Sequence, residues 1–131
     1  MVKKWIIMIA LLLVLLVGCV LESNYVNNSF KELINQLEVL QINLTENKES
    51  IDKKEFIDKS FEIHEGWHKK AKLLKCLIWH TGIKDAEIGL ARISVYIQEN
   101  NYEEASAEIA SLIDYLAHYS DDFVISWENI F

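Results

Sequence analysis

No proline occurs in the 131 residues, and glycine occurs only four times. So few turn-formers and helix-breakers exclude a β-sandwich and favour long helices joined by short polar loops. Positive charge is also scarce: 13 lysines and arginines stand against 20 acids, a formal charge of −7. That balance argues against nucleic acid as a partner and against electrostatic adhesion to anionic lipid. Two cysteines are too few for a disulfide framework. There is no Gly-rich phosphate loop, no G-x-S-x-G elbow and no D-x-D-x-D-G calcium loop.

What the chain has instead is concentrated at its start. Lys3 and Lys4 precede an apolar run of 17 residues, Trp5 to Leu21. A cationic start followed by such a run is an export signal or an anchor. Three readings are open. Leu16-Val17-Gly18-Cys19 resembles the bacterial lipobox, in which a small residue precedes a cysteine, here Cys19, that is lipidated and becomes residue one of the mature chain. An uncleaved anchor fits as well, since 17 residues lie at the short edge of the spanning range. Its lysines would stay cytoplasmic and the rest would be exported. A cleaved secretory signal lacks a clear A-x-A site. The expected organisation is residues 1–21 as signal or anchor and residues 22–131 as an extracytoplasmic domain at the cell membrane.

That domain reads as all-α, an antiparallel bundle of about four helices. Ser29 with Glu32 forms a capping box ahead of Phe30, Leu33, Leu37, Leu40 and Leu44. Asp52 with Glu55 opens a second helix whose stripe is Ile57, Ser60, His64, Trp67, Ala71, Leu74 and Ile78. Thr81-Gly82 is the expected break. Ile83, Ala86, Leu90, Ile93 and Ile97 mark a third helix from Ile83 to Glu99. Asn101 caps a fourth, with Tyr102, Ala105, Ile109, Leu112 and Leu116 inward. The tail from Asp121 to Phe131 is expected to pack back as an extended segment. Cys76, within Leu73-Leu74-Lys75-Cys76-Leu77-Ile78, reads as a small buried hydrophobe. Charge is uneven: Lys48 to Lys75 holds eight lysines against six acids, and Asp85 to Phe131 ten acids against Arg92 alone. Complementary helices packing side by side account for it; an acidic face for a cationic partner is the functional alternative.

His64-Glu65-Gly66-Trp67-His68 matches H-E-x-x-H. On a helix the two histidines share a face and can ligate zinc, with Glu65 as general base toward a metal-bound water. The continuation Lys69-Lys70-Ala71-Lys72 supplies no third ligand; a neighbouring helix offering Glu87 or His80 is conceivable, but nothing in the sequence specifies it. The plainer reading puts His64 and Trp67 in the core and His68 at the edge of the stripe, partly solvated. Gly66 in mid-helix hints at close packing. His80, Glu87 and Arg92 are expected as a polar cluster tying the second and third helices. No cofactor is called for. The expected role is a binding or scaffold module with an unidentified envelope protein as partner, not an enzyme; a small zinc hydrolase is the alternative.

Trp67, the run His80-x-x-Ile83-x-x-x-Glu87-Ile88-x-Leu90-x-Arg92-Ile93, then Tyr96-Ile97, Glu104-Ala105 and the terminal Asn129-Ile130-Phe131 resemble an uncharacterised bacterial family, domain of unknown function 4363. The family pattern has an acidic residue after the histidine, where this chain has Thr81-Gly82. The resemblance implies membrane anchorage and a helical domain, in envelope or sporulation-associated processes, and no reaction.

Overall fold

Four helices account for the architecture, taken from a computed structural model that describes residues 1–77 and 80–123, with side chains over 1–76 and 82–119. They are α1 (Val2–Glu46), α2 (Lys54–Leu77), α3 (His80–Gln98) and α4 (Tyr102–Phe123). Each packs antiparallel on its chain neighbour, and α4 closes the ring against α1. The all-α bundle expected from periodicity is the fold.

The first helix is far longer than the capping pattern implies. α1 runs 45 residues, about 67 Å at 1.5 Å per residue. The helix does not start at Ser29. Ser29 is buried in mid-helix, and its hydroxyl donates to the Tyr25 carbonyl at 2.8 Å. A serine satisfied within the helix does not cap one. Nor does any proline or glycine interrupt the chain between Gly18 and Glu46. The C-terminal half of α1 buries Val26, Phe30, Leu33, Leu37, Leu40 and Leu44; the apolar N-terminal half projects uncovered.

α2 starts at Lys54, its first turn closed by the Lys53 carbonyl accepting from Phe56 and Ile57. Asp52 instead accepts from Ser50, at 3.4 Å. The buried stripe of α2 is Phe56, Ser60, Ile63, Trp67, Ala71 and Leu74. Ile57 and His64, expected inside, are only half-buried beside it. The stripe is rotated because Phe56 and Ile63 give the core more apolar area than a histidine does. Cys76 is likewise exposed, two residues and about 200° round the helix from buried Leu74. Ile78, the last residue of the expected stripe, lies outside the described residues.

The break between α2 and α3 falls before Thr81-Gly82, which lie inside the first turn of α3. Gly82 is needed there for space. A Cβ on it would stand 2.3 Å from the Tyr119 ring, which itself packs on Phe30 and stacks on Tyr115. Gly66 is the opposite case: it is exposed, and a Cβ on it meets nothing within 4 Å. The close packing expected there is absent. Gly66→Ala is therefore expected to raise stability by about 1 kcal/mol, while Gly82→Ala lowers it by about 1–3 kcal/mol through overpacking. Urea denaturation of both variants, followed by circular dichroism, checks the opposite signs.

α3 ends in a Schellman turn. Asn100 takes a φ of 55°; its N–H reaches the Ile97 carbonyl and the Asn101 N–H reaches Tyr96. Asn101 then caps α4, its side-chain oxygen accepting from the Glu104 N–H at 3.2 Å, as the sequence implied. The stripes expected on α3 and α4 are buried as read, with Tyr102 half-buried at the edge. α4 continues helically to Phe123, so residues 121–123 are not extended; 124–131, including Asn129-Ile130-Phe131, lie outside the described residues.

Candidate functional site

The H-E-x-x-H residues sit on the α2–α3 seam. Trp67 points inward, its indole N–H 3.5 Å from the Ile83 carbonyl and its ring edge-on to Phe30 at 5.5 Å. One residue on, His68 turns to the rim and meets Glu87 of α3, Nδ1 to Oε1 at 2.9 Å. The same carboxylate lies 3.9 Å from the Lys75 ammonium. His68 is 57% exposed and Glu87 20%. His64, one turn earlier on α2, is half-buried, and Glu65 is exposed. Behind this rim, Ser60 donates to the Ile57 carbonyl at 2.7 Å and accepts from Ser94 at 3.1 Å, a small buried polar tie between the two helices.

The spacing of the motif therefore places two histidines one turn apart, but Glu87 engages His68 as a hydrogen-bond partner across a helix seam. Among the described residues, no three His, Cys, Asp or Glu side chains converge to hold a metal ion. The expected cluster of His80, Glu87 and Arg92 is not one cluster. Glu87 faces α2, whereas Arg92 faces α4 and pairs with Glu108 at 3.7 Å. Five residues on a helix are about 140° apart, so the two side chains serve opposite seams. His80 opens α3, and its side chain lies outside the described residues.

The α1–α2 seam is tied by an ion pair between Lys70 and Glu32. It leaves a cavity of about 40 Å³ lined by Ser29, Leu33, Gln36 and Trp67, room for about one water. At the α4 side, Tyr115 donates to Asp85 at 3.4 Å. Burial, then the Asp85 charge, holds its phenol above the ordinary tyrosine value. Cys19 is exposed on the uncovered half of α1.

Sequence reasoning missed Asn100. Its Oδ1 accepts from the Ile51 N–H at 2.8 Å and its Nδ2 donates to the Glu49 carbonyl at 3.4 Å, so it fastens the α3–α4 corner to the α1–α2 loop. The Asn100-Asn101 pair after the α3 stripe was the available signal. Nearby, Thr45 gives its proton to the Gln41 carbonyl at 2.8 Å, so the Tyr102 hydroxyl donates to Thr45 at 3.1 Å. Lys48 covers the Tyr102 ring at 5.4 Å.

A four-helix bundle whose first helix carries an uncovered apolar extension defines the class of this protein. The chain belongs to the family described as Domain of unknown function (DUF4363), whose model matches residues 20–130. No curated protein and no solved structure matches the chain.

Proposed function

We propose that the protein is a membrane-tethered binding or scaffold module, its bundle on the extracytoplasmic side and its partner an envelope protein. The observation that carries this reading is the uncovered N-terminal half of α1, apolar and long enough to cross a membrane. Buried in lipid, it needs no partner within the chain. Its 17 apolar residues rise about 26 Å, close to the roughly 30 Å hydrocarbon core. Lys3 and Lys4 sit at the end that the positive-inside rule keeps cytoplasmic. Because α1 enters the bundle unbroken, the module stands on a stiff stalk close to the lipid surface. Exposed Glu103, Glu104 and Asp114 on α4 give a cationic partner a face to meet. If Cys19 is instead lipidated, cleavage before it removes most of the apolar run, and the acyl chains become the tether at about 0.8 kcal/mol per buried methylene.

A zinc hydrolase using His64, Glu65 and His68 is the lesser reading, because the described residues supply no third ligand and His68 is engaged by Glu87. Membrane fractionation tests the preferred one. The full chain is expected in the carbonate-resistant pellet, with its bundle digested by protease added outside spheroplasts. Leu12→Arg, costing about 2.5–3.5 kcal/mol of insertion free energy, is expected to shift it toward the soluble fraction. Recovery of the wild-type chain in the soluble fraction, or a protected bundle, overturns the reading.

A further inference from the structure

We infer that the membrane-facing half of α2, joined by Lys84 of α3, holds the headgroups of anionic phospholipid in the bilayer that α1 enters. This rests on the reading of α1 as a membrane anchor. A chain of formal charge −7 does not adhere to such lipid as a whole. The charge is, however, sorted along α2. Its first half, Lys54 to Glu65, carries two lysines and four acids. Its second half, Gly66 to Leu77, carries Lys69, Lys70, Lys72 and Lys75 and no acid.

The fold turns that second half toward the lipid. α2 runs antiparallel to α1, with the Trp67 ring on Phe30. From that level α2 descends ten residues to Leu77 and α1 descends nine to Leu21, about 15 and 14 Å. α2 therefore ends level with the outer edge of the apolar run. Lys75, Lys72 and Lys69 stand about 3, 8 and 12 Å above that edge. His68 meets Glu87 across the seam, so Lys84, three residues nearer the membrane on α3, stands about 9 Å above it. The headgroup layer is about 5–7 Å deep and the screening length about 8 Å. All four ammonium groups thus lie where the field of an anionic surface acts.

The acids at this end do not neutralise them. Glu32 pairs with Lys70, Glu87 is shared by His68 and Lys75, and Asp85 turns to Tyr115 of α4. Glu22 stands at the lipid edge of α1. Asp121 and Asp122 belong to α4, across the ring from α2. Lys69, Lys72 and Lys84 are exposed and carry no ion pair among the described residues. Leu73, one turn past Lys69 and 49% exposed, gives the same face an apolar side chain for the interface. An acidic protein segment would satisfy the lysines as well, but their level beside the bilayer favours lipid.

The test uses the full chain, Met1 to Phe131, in phosphatidylcholine vesicles with and without phosphatidylglycerol. A membrane-impermeant amine-acylating reagent is added outside, and each lysine is read by mass spectrometry. Lys69, Lys72 and Lys84 are expected to react about fivefold more slowly with phosphatidylglycerol present, and high salt is expected to remove the protection. Lys48 and Lys53, at the far end of the bundle, are expected to change little. Inorganic phosphate added to phosphatidylcholine vesicles is expected to protect none of them; equal protection by it would overturn the lipid assignment. If the chain floats with phosphatidylcholine vesicles and the three lysines react alike in both lipids, the anchor stands and this inference is wrong. If the chain does not float with either, the anchor reading and this inference fall together.

Discussion

Phe30→Ala is expected to cost about 3–5 kcal/mol of stability, and to lower the midpoint of thermal unfolding by about 10 °C or more. Phe30 is fully buried at the meeting point of three helices. Its ring packs edge-on against Trp67 of α2 and tilts onto Tyr119 of α4. Removing it leaves a cavity that helices cannot close, because each is held elsewhere: α2 by the Lys70–Glu32 pair, α4 by Tyr119 against Gly82. Phe30→Leu keeps most of the volume and is expected to cost less than about 1.5 kcal/mol. Thermal melts of the three proteins under one detergent condition check the order. Equal losses for alanine and leucine would mean that ring geometry, not filled volume, is what the site requires.

Asn100→Ala is expected to cost about 2–4 kcal/mol, from two independent sources. A φ of 55° strains alanine, and the Ile51 N–H loses the side-chain oxygen that satisfies it. Asn100→Gly separates the two. Glycine adopts the positive φ freely, so it forfeits only the hydrogen bonds. The expected order of stability in urea is wild type, then glycine, then alanine. Glycine at or below alanine would show that the backbone conformation is not what Asn100 supplies.

The helices themselves were legible because each apolar stripe repeats at three and four residues. Leu33, Leu37, Leu40 and Leu44 are buried as the spacing implies, as are Ile83, Ala86, Leu90, Ile93 and Ile97. Asn101 was legible as a cap because the interaction is local. The errors came where two local signals were equally good. On α2, Ile57 and His64 make as regular a stripe as Phe56 and Ile63. Spacing does not choose between them; the larger apolar area of Phe56 and Ile63 turns that face inward. Ser29 with Glu32 resembles a helix start, yet the residues before it are also helix-compatible, so the helix ran on.

The candidate site shows the same division. H-E-x-x-H specified that His64 and His68 lie one turn apart, since helical period alone determines that. Whether a third ligand approaches is a question of which residues α3 brings across the seam. It brings Glu87 to His68 and sends Arg92 the other way, to Glu108. Glu87 and Arg92 are close in sequence but about 140° apart around the axis, so proximity along the chain misled.

By itself, the sequence determined helix content, the inward stripes of α1, α3 and α4, and the apolar run with which α1 begins. These depend on composition and on a period that every helix shares. The tertiary structure decided the unbroken passage of α1 from Trp5 into the bundle, the rotation of α2, the tie from Asn100 to Ile51 and the need for Gly82. The Asn100–Ile51 tie spans 49 positions and the Gly82–Tyr119 contact 37, and α2 had two faces of equally regular spacing to choose between. Local periodicity carries no information about either.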